Sequence, residues 1–113
     1  MSKPFRPAPR DPKPWKGWLP AELVVKILAA SCPATIARAG IDAMNASYEH
    51  TTADKAWQRA LAQVPRSESP VFFTTMIDTS IYIEALVGSH EQGLTLEQGM
   101  AAFFTLGLEQ LSA

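Results

Sequence analysis

The chain contains one cysteine and two histidines in 113 residues. Cys32 therefore has no partner for an internal disulfide. His50 and His90 lie far apart, and neither follows a glutamate at the three-residue interval of a diiron helix. No second cysteine or histidine stands at the short spacing that zinc sites use. The sequence thus offers no ligand set for a metal ion, and we expect no cofactor.

Sequence motifs of catalysis and of membrane insertion are also missing. The chain has neither the Gly-x-Ser-x-Gly motif of a catalytic serine nor a glycine-rich phosphate loop. Its longest apolar run, residues 71–87, is interrupted by Asp78 and Glu84. The positive N-terminal residues are followed by prolines and not by the apolar core of a signal peptide. We therefore expect a cytoplasmic protein that is not an enzyme and does not bind a membrane.

Charge is scarce and unevenly distributed. Charged residues make up 19% of the chain and apolar residues 47%, which leaves few charges to cover the surface of a monomer. We therefore expect a homo-oligomer or a subunit of a larger assembly. Residues 1–20 carry a net charge of +4, residues 21–66 of +1, and residues 67–113 of −6, with no lysine or arginine. A basic N-terminal region thus precedes an acidic C-terminal half.

The basic region, residues 1–20, holds six of the nine prolines. Proline fixes φ and has no backbone donor, so we predict an extended, Pro-rich N-terminal arm. Its aromatic residues allow two interpretations. Either Trp15 and Trp18 fold back onto their own domain, or the arm lies along a partner that its aromatic and basic side chains anchor. In the second case the partner-binding residues are Phe5, Arg6, Arg10, Trp15, Lys16 and Trp18.

Residues 21–66 predict three short helices. The first, residues 21–30, follows Pro20, and Pro33 starts the second in the helix-opening position that proline favours. Small residues in the second helix, including Gly40, would let a neighbouring helix approach closely. The third helix is capped by Thr51-Thr52 and stops before Pro65.

Residues 71–111 predict a strand, a helix, a short turn and a second helix. The run from Val71 to Ile77 is rich in β-branched and aromatic residues, which favour a strand, although a continuous helix over residues 70–88 is the alternative. Gly93 ends the first helix, and Thr95 with Gln98 forms a capping box for the second. In that last helix, neighbouring Phe103 and Phe104 point about 100° apart and so meet more than one neighbour.

The predicted fold is therefore mainly α: one small domain over residues 21–113, with four to five short helices and the N-terminal arm. Its halves are residues 21–66 and 71–111. Because no second strand is evident, we expect the strand over residues 71–77 to pair across a dimer. The residues of this possible dimer strand are Phe72, Phe73, Thr74, Thr75 and Met76.

The order of elements in residues 71–111 resembles the ribbon-helix-helix family of DNA-binding proteins. The resemblance rests on the strand, the capped helix, the turn Gly93-Leu94-Thr95 and the second helix. It implies that two chains pair their strands, with Phe72, Thr74 and Met76 facing the major groove. DNA affinity comes largely from lysine and arginine at phosphates, and this region has neither, so the charge disfavours nucleic acid as a partner.

Two functional hypotheses follow. The first is a non-enzymatic helical accessory subunit, adaptor or inhibitor of a larger protein assembly. It would dock through apolar helix faces, its acidic C-terminal half and its Trp-containing basic arm. The alternative is a dimeric, ribbon-helix-helix-like DNA-binding regulator or relaxosome accessory protein.

Overall fold

The computed structural model describes residues 11–30, 32–66 and 69–112. Five helices and two strands form a small, mainly helical domain, so the predicted mainly α class is confirmed. In chain order the elements are β1 (Pro12–Leu19), α1 (Ala21–Ala30), α2 (Pro33–Ser47), α3 (Ala53–Gln63), β2 (Val71–Asp78), α4 (Thr79–Glu91) and α5 (Leu96–Ser112).

The first strand corrects the interpretation of the N-terminal region. Residues 12–19, which the sequence assigned to an extended arm, pair antiparallel with β2, from Pro12 opposite Asp78 to Leu19 opposite Val71. The premise that β2 lacks a partner strand within the chain is therefore wrong. Prolines do not prevent this pairing, because β1 is an edge strand and an edge tolerates residues without a backbone donor. Pairing of β2 across a dimer stays a prediction.

The second strand and the helix after it confirm the predicted order. Residues 71–78 are extended and α4 begins at Thr79, so the alternative of one helix over residues 70–88 is wrong. Along β2, Phe73 and Ile77 are buried while Phe72, Thr74 and Met76 are exposed. This alternation is the period of two that a half-buried strand requires.

The predicted helix boundaries are confirmed by their caps. The Thr52 side chain accepts a hydrogen bond from Lys55 N at 3.3 Å and caps α3. Gly93 has φ of +71°, the left-handed conformation that glycine adopts most easily. Thr95 N donates to Gln98 Oε1 at 2.9 Å, and Gln98 N donates to Thr95 Oγ1 at 3.2 Å, which is the predicted capping box.

Helix α5 lies at the centre of the domain, where it contacts β1, all four other helices and, through Phe104, Phe73 of β2. Phe104 is fully buried and makes edge-to-face contacts with Trp15 and Phe73, at 6.0 and 6.3 Å between ring centroids. Phe103 packs instead on Trp57 of α3, at 5.0 Å. The prediction that these two phenylalanines meet different neighbours is confirmed.

Helices α2 and α5 approach each other closely because glycine stands at their crossing. A Cβ added to Gly40 would lie 1.9 Å from the carbonyl oxygen of Phe103. A Cβ added to Gly107 would lie 1.8 Å from that of Ile36. Both distances are far below van der Waals contact, so the close approach expected from the small residues of α2 is confirmed at Gly40.

Candidate functional site

The two strands present one continuous surface to solvent. Residues directly opposite each other in an antiparallel pair share a face, and here the outward pairs are Pro14 with Met76, Lys16 with Thr74, and Trp18 with Phe72. We call the surface of these six exposed residues the ribbon face. It brings together several residues that the sequence assigned separately to an arm and to a dimer strand.

Apolar side chains dominate the ribbon face. Trp18 is 56% exposed, Phe72 is 53% exposed, and their rings meet edge-to-face with centroids 5.3 Å apart. Met76, two residues before the end of β2, is 44% exposed. Large exposed aromatics are typical of protein-binding surfaces, because they bury much area at a small cost in side-chain entropy.

Other predicted site residues lie elsewhere. The expected partner-binding role of Trp15 is corrected, since its side chain is 3% exposed and packs on Phe104 in the core. Of the two interpretations of the tryptophans, folding back onto the domain is therefore correct for Trp15. Phe73 is buried, and Thr75 is half-buried on the inner side. The predicted residues Phe5, Arg6 and Arg10 lie outside the described residues.

Both ends of β1 are fixed to helices. At its start, Thr79 donates to the carbonyl oxygen of Asp11 from its backbone nitrogen at 3.0 Å and its hydroxyl at 3.2 Å. Near its end, Trp18 N donates to the Glu97 carboxylate of α5. A side chain at Gly17 would collide with Glu97 Cγ at 2.8 Å, so glycine makes this contact possible. The ribbon face is thus held in place before any partner binds.

An open groove of about 510 Å³ borders the Trp18 end of the ribbon face. Trp18 and Pro20 line one part of it, and Val64 and Arg66 line another. The groove also contacts Glu97, so charges of both signs stand beside apolar surface. A partner on the ribbon face could extend into this groove without displacing any core residue.

Candidate metal ligands lie apart in the part of the chain that the structure describes. Among the residues that the structure describes, no group of three His, Cys, Asp or Glu side chains could hold a metal ion. Cys32 is a half-buried free thiol, and His50 and His90 are exposed. The Ser89 hydroxyl is buried between α4 and α5, where it has no hydrogen-bond partner within the described part of the chain.

Sequence reasoning missed β1. In the structure, buried Trp15, Gly17 and Leu19 alternate with exposed Lys16 and Trp18, which is the strand period of two. The sequence hides this alternation, because the exposed position 18 holds a tryptophan and the buried position 17 holds a glycine, and the prolines favoured an arm. Because Trp15 and Trp18 are three positions apart, recognition of the strand would have placed them on opposite faces.

Comparison with protein-family models, with curated proteins and with solved structures gave no match for this chain. Within the described ranges, no single helix has both the length and the apolar character needed to cross a membrane. The bent pair of α1 and α2 meets those criteria together, by length and composition only.

Proposed function

We propose that this protein is a non-enzymatic accessory subunit or adaptor of a larger protein assembly in the cytoplasm, and that the ribbon face is its docking surface. The observation that carries the proposal is the exposed pair of Trp18 on β1 and Phe72 on β2, with β1 fixed at both ends. A preorganised aromatic pair favours binding because little conformational entropy is lost when the partner arrives. An inhibitor whose acidic half occupies a basic groove of its target is a specialised form of this function.

The alternative is a DNA-binding regulator. It is supported by the strand–helix–helix order of β2, α4 and α5 and by the outward position of Thr74 on a two-stranded ribbon. In the family that this order resembles, such a ribbon forms between two chains, whereas β1 and β2 pair within one chain. Lys16 is the only cationic residue of the ribbon face, so few phosphate contacts are available there.

A capture experiment with a matched control tests the proposal. Full-length protein is used to isolate its partner from nuclease-treated extract, and the purified partner is then titrated against two double variants. Trp18→Ala with Phe72→Ala removes the aromatic pair. Val25→Ala with Leu28→Ala removes two residues of α1 that are 66% and 69% exposed and lie outside the ribbon face.

We expect the ribbon variant to weaken binding at least tenfold, roughly the effect of losing an aromatic anchor, while the α1 variant binds as the parent does. Both variants should remain folded, and the ribbon variant should lose only the modest stability of one half-exposed aromatic pair. Equal losses in the two variants would contradict the ribbon face as the docking surface. Recovery of a specific DNA from a parallel extract without nuclease, with binding that depends steeply on salt, would instead support the regulator.

A further inference from the structure

Helix α4 carries most of its bulky aliphatic residues on the outside. The residues that it buries are Ile81, Ala85 and Ser89, whereas its outer side shows Ile83, Leu86 and Val87, which are 52%, 44% and 50% exposed. A surface helix of a monomeric domain normally has the opposite arrangement, with polar residues outside. We call the three outer residues the α4 stripe.

An apolar groove of about 320 Å³ runs beside this stripe, between α4 and α2. Its lining includes buried Met44 and Trp57, and the Trp57 indole is held in place because it donates to the Tyr48 hydroxyl at 3.2 Å. Gly88 leaves the groove open, since a Cβ there would lie 3.1 Å from Trp57 Cζ2. The groove can therefore receive an apolar side chain from a segment that lies along Val87 and its neighbours.

The charges around the groove are mainly negative. Glu84 and Glu91 line it. The Arg38 guanidinium forms an ion pair with Glu84 at 2.7 Å and donates a hydrogen bond to Ser80 Oγ at 2.9 Å. Asp42 lies 3.9 Å from the same guanidinium. The described ion pairs do not include Glu91, which is exposed at the end of α4. The same ion pair neutralises Glu84, so Glu91 is the carboxylate that this groove offers to a basic ligand.

We infer that the α4 stripe and its groove bind a basic amphipathic segment of a protein partner, with an apolar side chain in the groove and a lysine or arginine at Glu91. A second copy of α4 fits less well, because it would bring the carboxylates of both copies together, and like charges disfavour association. This inference stands apart from the proposed role of the ribbon face, which lies on β1 and β2.

A defined probe tests this inference on the full chain. The probe is an amphipathic helical peptide of leucine and lysine about as long as α4, roughly 20 Å at 1.5 Å per residue. A leucine–glutamate peptide of the same length is the matched control. Titration calorimetry measures both against the parent protein, the Ile83→Ser, Val87→Ser double variant, Glu91→Gln, and the α1 control Val25→Ser, Leu28→Ser.

We expect the lysine peptide to bind at least tenfold more tightly than the glutamate peptide. The α4 double variant should lose about tenfold in affinity, and Glu91→Gln should lose roughly threefold and show a weaker salt dependence. The α1 control and the ribbon variant Trp18→Ala, Phe72→Ala should bind as the parent does, so failure here is distinguishable from failure of the proposed function.

Three outcomes would overturn the inference. One is equal binding of the two peptides, and another is equal loss in the α4 and α1 variants. The third involves the chain's own residues 1–10, which contain Lys3, Arg6 and Arg10 and no acidic residue. Binding of the probe only after these three residues are changed to glutamine would assign the groove to this segment and not to a partner.

Discussion

Helices α4 and α5 are neighbours in sequence and both are rich in apolar residues, but they use them in opposite ways. Helix α5 buries Met100, Phe103 and Phe104 against β1, β2 and α3, so the chain itself covers its large side chains. Helix α4 buries Ile81 but leaves the three residues of the α4 stripe exposed. Apolar composition alone therefore does not show whether a helix belongs to the core. The placement of its large apolar side chains does.

The largest expected effect on stability comes from a substitution in α5. Phe104→Ala removes a fully buried ring that contacts both Trp15 and Phe73, and we expect it to lower the free energy of unfolding by about 3–5 kcal/mol. Urea unfolding followed by circular dichroism measures the change. Phe72→Ala, on the exposed side of β2, is the control and should cost less than about 1 kcal/mol. Similar losses in both variants would mean that α5 is not the centre of the core.

An intermediate effect is expected where α5 crosses α2. Gly40→Ala places a methyl group against the Phe103 carbonyl oxygen, and overpacking of this kind costs about 1–3 kcal/mol. The matched change on α4 is Gly88→Ala. Its new methyl group meets the edge of the Trp57 ring at 3.1 Å and Phe103 Cζ at 4.0 Å, both side-chain atoms. The substitution also gains up to about 1 kcal/mol in helix propensity. In the same unfolding experiment, Gly40→Ala should have a clearly lower free energy of unfolding than Gly88→Ala. The reverse order would contradict the described crossing of α2 and α5.

The smallest effect is expected on the outer side of α4. Ile83→Ser combined with Val87→Ser should change the free energy of unfolding by less than about 1 kcal/mol, because exposed positions contribute little to stability. Unfolding is measured at low and high protein concentration. A loss that grows with protein concentration would show that copies of the chain already cover the α4 stripe, as mass action requires.

Local signals account for the parts of the fold that the sequence predicted. The Thr95–Gln98 capping box and the left-handed Gly93 act within a few residues, so their consequences are visible in the chain. Strand β1 is different, because its partner lies more than fifty positions away and its pairing is set by burial of Trp15 against Phe104. No sequence pattern near Pro12 or Pro14 predicts that distant contact.

The candidate surfaces were predicted only in part, because they too depend on contacts between residues that are distant in the chain. The sequence identified Trp18, Phe72 and Met76, but it could not place them on one face without the register of β1 against β2. The α4 stripe was missed because the sequence gives the angle between side chains on a helix but not which side faces the core. Only the packing of Ala85 and Ser89 against α5 shows that Ile83 and Val87 point outward.

The long separation of the two strands also affects how the chain emerges from the ribosome. Strand β1 ends at Leu19, but its partner is complete only when Asp78 has been added. At translation rates of roughly 5–20 residues per second, the nascent chain carries an unpaired β1, with Trp15 and Leu19 uncovered, for several seconds. Helices α1 to α3 are made in that interval, and Trp15 gains its contact with Phe104 only after α5 has been made as well.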